Sequence, residues 1–174
     1  MPESTQVLVK KYFELIEGYF LQENAKFKVP GNYSDIDLIG VNKKGECLIV
    51  EVKSWATENV TMANGKGLVD WLASSETTKA AKDILGDISK IRRVLVVAWL
   101  GSRGGVDLVR HAKSLKNPVD VMTMDRIIKG LFEKVDPNLN YDDEGLQLLR
   151  LLKIYSDKSW SRQPPVTLEF PEYK

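Results

Sequence analysis

The sequence predicts an α/β protein of one domain, built on a mixed β-sheet. Near the N-terminus, an amphipathic helical segment precedes short segments of strand character that are joined by polar turns. Residues 94–100 form a continuous apolar run, which is typical of a strand buried on both faces of such a sheet. Further on, helical and strand patterns alternate. A length of 174 residues with 43% hydrophobic content suits one core of ordinary size.

The predicted elements follow from periodicity and turn residues. Val9, Phe13 and Ile16 recur at helical spacing after Ser4, a suitable N-cap residue. The polar residues 42–46 suit a hairpin turn, and residues 54–67 lack a clear period, which indicates a loop. The elements, in chain order, are helix 5–20, strands 26–29, 36–41 and 47–53, helix 68–85 in one or two pieces, strand 92–100, a turn at 101–105, helix 106–115, strand 119–124, and helices 125–135 and 142–155.

The domain organisation is predicted to be a core of residues 1–155 followed by a C-terminal tail or arm of residues 156–174. This last stretch contains Pro164, Pro165 and Pro171. An apolar segment between the prolines suits an edge strand or an arm that embraces a second subunit, and a loose tail fits equally well.

Composition limits the classes of partner and compartment. With 25 basic and 24 acidic residues, the chain has no overall attraction for nucleic acid, so any such contact requires a local patch. Its single cysteine, Cys47, excludes an intrachain disulfide and any multi-cysteine zinc site. We find neither an apolar run of the ~18–20 residues that span a bilayer nor a secretion signal. A cytoplasmic protein without membrane contact is therefore expected.

The candidate catalytic residues lie in the predicted hairpin. Glu51 and Lys53 are two residues apart on a strand and therefore project from the same face. If the turn is symmetric about Lys44, residues whose numbers add to 88 face each other. Asp37 then lies opposite Glu51, and Asp35 opposite Lys53, with facing Cβ atoms ~5 Å apart.

Two carboxylates at that separation repel each other unless positive charge lies between them. Mg²⁺ is the natural candidate, because it prefers hard oxygen ligands and takes one or two protein carboxylates. We predict that Asp37 and Glu51 bind the ion, with the backbone carbonyl of Val52 as a further oxygen. Lys53 either stabilises charge on a phosphorane as an ammonium or, with a lowered pKa, orients or deprotonates the attacking water.

The segments 34–41 and 48–53, with Asp37, thirteen intervening residues and then Glu51-Val52-Lys53, resemble the PD-(D/E)xK nuclease superfamily, which includes restriction endonucleases and archaeal Holliday junction resolvases. The similarity in element order covers roughly residues 4–124. The resemblance implies a restriction-endonuclease-like mixed sheet flanked by helices. It also implies Mg²⁺ or Mn²⁺ as cofactor and hydrolysis of phosphodiester bonds.

Members of this superfamily often carry a further acidic residue on the first helix, and this chain offers no unambiguous match. Glu14 and Glu17 are candidates on the predicted helix, Glu3 is a candidate just before it, and Asp35 is a candidate on the hairpin. The proline that commonly precedes the family's Asp is replaced by Ile36. Without a helix acid the site would bind one metal ion or be inactive.

Two further residues are candidates for contact with nucleic acid. Arg103 lies in the glycine-rich turn after the buried strand, and Trp55 follows Lys53 closely enough to stack on a base or ribose. Burial beside the hairpin explains Trp55 equally well.

The motif and the family that it resembles therefore predict a metal-dependent endonuclease acting on DNA. They leave open whether the substrate is a branched junction, a nicked duplex, a specific restriction-type site or RNA. The alternative is a nuclease-like scaffold without catalysis that serves as a nucleic-acid-binding or assembly subunit. A phosphate-independent interaction domain would leave the facing carboxylates unexplained. A homodimer is expected, because nucleases that cut both strands are commonly symmetric dimers.

Overall fold

A computed structural model describes residues 4–29, 32–53, 60–86, 88 and 90–159 of the protein. This part of the chain contains six helices and five strands. In chain order they are α1 (Ser4–Leu15), β1 (Tyr19–Val29), β2 (Asn32–Asn42), β3 (Glu46–Lys53), α2 (Met62–Leu72), α3 (Ser75–Leu85), β4 (Lys90–Val97), α4 (Ser102–Ser114), β5 (Val119–Thr123), α5 (Met124–Lys134) and α6 (Glu144–Ser159).

The five strands form one mixed sheet in the order β1-β2-β3-β4-β5. The strands β1, β2 and β3 are consecutive in the chain and pair antiparallel as a meander. The pairs β3–β4 and β4–β5 are parallel, and their connections pass through helices, as parallel pairs require. The predicted α/β class with a mixed sheet flanked by helices is confirmed.

The core lies on both faces of this sheet. On one face, Ile39, Ile49 and Leu95 are fully buried in a cluster that also includes residues of α2, α3 and α4. On the other face, α1 packs against the sheet with Val9 and Phe13 fully buried. Both faces of β3 are therefore covered, and six of its eight residues are buried.

The chain divides into two compact units after Leu131. The first unit contains the whole sheet. In the second, Lys153 of α6 donates hydrogen bonds to the carbonyl oxygens of Phe132 and Val135, at 3.0 and 2.8 Å. The expected tail or arm falls mainly on residues 160–174, which lie outside the described residues, so its nature stays a prediction.

Across the described residues, every helix lacks the combination of length and apolar composition that a membrane span requires.

The predicted first helix was wrong at its C-terminal end. It was expected to reach Phe20, but α1 ends at Leu15, and Tyr19 and Phe20 already belong to β1. Gly18 lies between the end of α1 and the start of β1 and has φ +73°. Glycine adopts this left-handed conformation easily, and it commonly ends helices. Ile16 and Phe20 continue the helical spacing of apolar residues, but Phe20 does not belong to a buried helical face, because it is 64% exposed.

The predicted turn at residues 101–105 was also wrong, because α4 already begins at Ser102. The glycines there serve close packing instead. A Cβ on Gly105 would lie 3.0 Å from Cβ of Leu100, and one on Gly104 would lie 2.9 Å from Cβ of Thr61. The start of α4 therefore lies close both to Leu100, just before it, and to Thr61 at the start of α2.

The close approach of β1 and β2 leads to a testable prediction. A Cβ on Gly40 would lie 1.8 Å from the backbone oxygen of Phe20. Backbone on both sides cannot yield without breaking the strand pairing, so Gly40→Ala should lower the free energy of unfolding by about 3 kcal/mol or more. Urea denaturation measures this loss.

Gly67→Ala is the matched control. Gly67 lies within α2, where a Cβ would meet nothing within 4 Å, so the substitution should raise stability by about 0.5–1 kcal/mol. Equal stability of wild type and Gly40→Ala would contradict the described pairing of β1 and β2.

Candidate active site

The predicted register of the hairpin is confirmed where β2 and β3 pair. The pairs are Leu38 with Val50, Ile39 with Ile49, Gly40 with Leu48, and Val41 with Cys47, and their numbers all add to 88. The ladder ends at Leu38 and Val50, one residue before Asp37 would face Glu51.

Asp37 contacts β3 through its side chain. The backbone N–H of Val52 donates a hydrogen bond to Oδ2 of Asp37 over 2.7 Å. The carboxylate of Asp37 is thus held against the segment Glu51–Lys53, with β2 and β3 linked by a side chain where their backbone pairing stops.

The backbone of β2 and of its neighbour β1 is irregular around Asp37. Ile36 and Ile39 both pack in the same core cluster, although a regular strand would place residues three apart on opposite faces. On β1, Asn24 has φ +50° and stands between the residues that pair with Leu38 and Ile36 of β2. Asn24 is therefore opposite Asp37, and the pairing of β1 with β2 is interrupted at this one position.

The carboxyl of Glu51 is buried beside the charges of the site. Its residue is only 7% exposed, and Nζ of Lys53 lies 2.6 Å from its Oε1. Burial raises the pKa of Glu51 above its usual value, as do the negative charges of Asp37 and Asp35, and the hydrogen bond and charge of Lys53 offset this only in part. The fold thus holds a carboxylate where ionisation is disfavoured, as is common at functional sites.

For the pKa of Lys53, the contacts with charged groups outweigh the effect of burial. Burial lowers its pKa, but the hydrogen bond to Glu51 and the negative charges of Glu51, Asp37 and Asp35 together outweigh burial, so the pKa of Lys53 is raised. Lys53 therefore carries an ammonium at neutral pH. Of the two roles open from the sequence, this favours the ammonium over the base.

A residue that sequence reasoning missed also contacts this site. Gln6 of α1 is 8% exposed, and its Nε2 donates to the backbone oxygen of Asp37 over 2.9 Å and to Oδ1 of Asn24 over 3.3 Å. The family resemblance predicts an acidic residue on the first helix, and Gln6 carries an amide. The available signal was that Gln6 continues the apolar spacing of Val9 and Phe13, so it is a polar residue on a buried face.

The candidate helix acids Glu14 and Glu17 have partners elsewhere. Glu14 lies 3.9 Å from Nζ of Lys10. Glu17 pairs with Arg92 of β4, whose neighbour on β3 lies three residues before Glu51 and thus about 10 Å along the strand. Both carboxylates are therefore engaged by cations outside the group of Asp37, Glu51 and Lys53.

Asp35, the candidate acid on the hairpin, is exposed on β2. It lines an open cavity of about 490 Å³ together with Lys26, Tyr33 and Ser34. Its charge contributes to the raised pKa values of Glu51 and Lys53, so it lies near enough to act on the site electrostatically.

The remaining candidates differ in what can be said of them. Arg103, a candidate for nucleic-acid contact, is exposed in the first turn of α4. Trp55, the other such candidate, and Glu3, the third candidate helix acid, lie outside the described residues. These three assignments stay predictions.

The thiol of Cys47 is fully buried, and burial raises its pKa to about 11. A thiol with that pKa is protonated at neutral pH and is a poor nucleophile. Cys47 is therefore a core residue of β3.

The donor atoms near Asp37 fit a divalent cation with hard-oxygen preference. Among the described residues no group of three or more His, Cys, Asp or Glu side chains is placed to hold a metal ion. Mg²⁺, however, typically takes one or two protein carboxylates and completes its shell with water and phosphate oxygens. Asp37 and Glu51, with the carbonyl of Val52, supply that kind of set.

No family model matches the chain, and no curated protein matches it. Among solved structures, the chain is similar to a repair endonuclease from Pyrococcus abyssi, with 18% identity and a TM-score of 0.41 over 71% of this chain and 47% of that one. It therefore spans about half the length of that endonuclease. It is also similar to a protein of unknown function, with 11% identity and a TM-score of 0.47 over 86% of this chain and 78% of that one.

Proposed function

We propose that the protein is a divalent-metal-dependent endonuclease that hydrolyses phosphodiester bonds in DNA. The observation that carries the proposal is the grouping of Asp37, Glu51 and Lys53, in which the pKa of a buried carboxyl and the pKa of its lysine partner are both raised. In this grouping the ionised form of Glu51 is disfavoured despite the contact with Lys53, and carboxyls perturbed in this way are concentrated at functional sites. The resemblance of the motif to PD-(D/E)xK nucleases supports the same reaction.

Asp37 and Glu51 would bind the cation, Mg²⁺ or Mn²⁺, with the carbonyl of Val52. A bound divalent cation supplies positive charge that polarises a phosphate oxygen and acidifies water. The Val52 N–H fixes the orientation of the Asp37 carboxylate through its hydrogen bond to Oδ2.

Lys53 would stabilise the phosphate during attack. Its side chain is 28% exposed, so the ammonium is accessible to a substrate while it contacts Glu51. Its raised pKa keeps the proton on Nζ, and a charged donor stabilises the negative charge that develops on the phosphoryl oxygens. A base role would require the opposite shift.

The test is cleavage of supercoiled plasmid and of a synthetic four-way DNA junction in Mg²⁺, Mn²⁺ and EDTA. We expect cutting with either metal, none in EDTA, and loss of cutting in Asp37→Asn. A preference between the two substrates would show whether branched DNA is favoured. Light scattering in parallel would test the expected homodimer.

A second function is favoured by one observation, the amide of Gln6 where the resembling nucleases often carry a helix acid. In this interpretation the protein binds nucleic acid or an assembly partner without catalysis. Folded wild type that shifts the junction in a gel but cuts neither DNA in Mg²⁺ or Mn²⁺ would support it and contradict the first proposal.

A further inference from the structure

Gln6 is a buried amide directed at the candidate site. A polar side chain that is 8% exposed stabilises a fold only if its hydrogen bonds are satisfied. Its Nε2 is satisfied by the backbone oxygen of Asp37 and by Oδ1 of Asn24, on β2 and β1. These residues are 31 and 18 positions away in sequence, so the contact defines tertiary geometry.

Asn24 supplies the other side of this contact. It has a left-handed backbone, which few residues besides glycine adopt and which asparagine tolerates better than most. The irregularity removes Asn24 from the ladder with β2 at the position opposite Asp37. One amide therefore bridges two strands at the point where both leave regular geometry.

Asp37 is thus held from two directions. Gln6 fixes its backbone oxygen from α1, and the N–H of Val52 fixes Oδ2 of its carboxylate from β3. Because the backbone oxygen and one carboxylate oxygen are both held, the orientation of the whole carboxylate is restricted.

We propose that Gln6 is a positioning residue that sets the Asp37 carboxylate for a divalent cation. The proposal rests on the proposed function only for the identity of that ligand. The hydrogen bond to the Asp37 carbonyl requires the amide of Gln6, because an ionised carboxylate has no proton to donate. Gln6→Glu should therefore lose the contact as Gln6→Leu does, despite its similar size.

The first measurement needs no metal. Hydrogen exchange of the Val52 N–H, followed by NMR in EDTA, reports how firmly Oδ2 of Asp37 is held. In Gln6→Leu and Gln6→Glu we expect this exchange to accelerate about tenfold, the effect of losing roughly one hydrogen bond. The reference amides lie in the buried part of β4, at residues 94–96, and should keep their wild-type rates.

The second measurement is Mn²⁺ affinity by calorimetry. Residues that orient a metal ligand typically change affinity by about 10–100-fold, so Gln6→Leu should bind Mn²⁺ at least about tenfold more weakly. Gln22→Leu is the matched control, because Gln22 is an exposed glutamine on β1, and it should leave both measurements unchanged.

The outcomes separate the two proposals. Unchanged Val52 exchange in Gln6→Leu would overturn the positioning role, as would equal acceleration at the β4 amides of residues 94–96, which indicates general destabilisation. If wild type binds no Mn²⁺, the proposed function fails, while Val52 exchange still decides whether Gln6 holds Asp37.

Discussion

Replacement of Lys53 by alanine should reduce metal-dependent DNA cleavage by about 10²–10³-fold, the usual effect of removing one donor that stabilises transition-state charge. The ammonium also lowers the pKa of Glu51, so its loss should raise that pKa further. The residual activity of Lys53→Ala should therefore need a higher pH than that of wild type. Single-turnover rates measured across pH test both effects.

Lys90→Ala is the control for this prediction. Lys90 also pairs with a glutamate, since its Nζ lies 3.3 Å from Oε1 of Glu46, but the pair is at the start of β4 and away from Asp37. Its cleavage rate and pH profile should match wild type. Wild-type rates in Lys53→Ala would contradict the role given to Lys53.

Glu51→Gln should reduce cleavage by about 10³-fold and, in the same protein, raise the free energy of unfolding by about 0.5–2 kcal/mol. The gain follows from the raised pKa of Glu51, because burial makes its ionised form less favourable in the folded chain than in the unfolded one. The amide oxygen that replaces the carboxylate can still accept the hydrogen bond from Lys53, and the charges of Asp37 and Asp35 remain to stabilise its ammonium. Urea denaturation without metal measures the stability, and cleavage in Mg²⁺ measures the activity.

The sign of the pH dependence follows from the same shift. The carboxyl of Glu51 binds its proton more tightly in the folded wild type than in the unfolded chain. The free energy of unfolding therefore rises as the pH falls from the folded pKa of Glu51 to the usual value of 4.5. That stability is lost again as pH rises through the folded pKa. Glu51→Gln should lack this contribution to the pH dependence.

Glu46→Gln gives the opposite sign and serves as the control. Hydrogen bonds from Asn42 and Lys90 lower the pKa of Glu46, so its carboxylate stabilises the fold and its removal should lower stability slightly. A Glu51→Gln protein that is less stable than wild type and cuts DNA normally would contradict the assignment.

The hairpin could be predicted from the sequence because its information is local. A short polar turn between two alternating segments defines which residues face each other, and the pair Leu38–Val50 obeys the predicted register. The grouping of Glu51 and Lys53 on one face required only the period of a strand.

What lay beyond prediction depends on contacts between distant segments. Nothing in the periodicity marks Asn24 as left-handed, and the contact of Gln6 with Asp37 joins residues 31 positions apart. Glu17 was a candidate acid because it follows the helix pattern, whereas its ion pair with Arg92 spans 75 positions. Such pairings become visible only when the chain has folded.

The meander of β1, β2 and β3 has a consequence for the order of folding. Asp37, Glu51 and Lys53 come from neighbouring strands joined by a short turn, whereas the parallel pairing of Glu46 with Lys90 joins residues 44 positions apart. Loop closure costs more chain entropy as the loop lengthens. The site residues therefore belong to the part of the sheet that can assemble earliest, before β4 and the helices that cover it arrive.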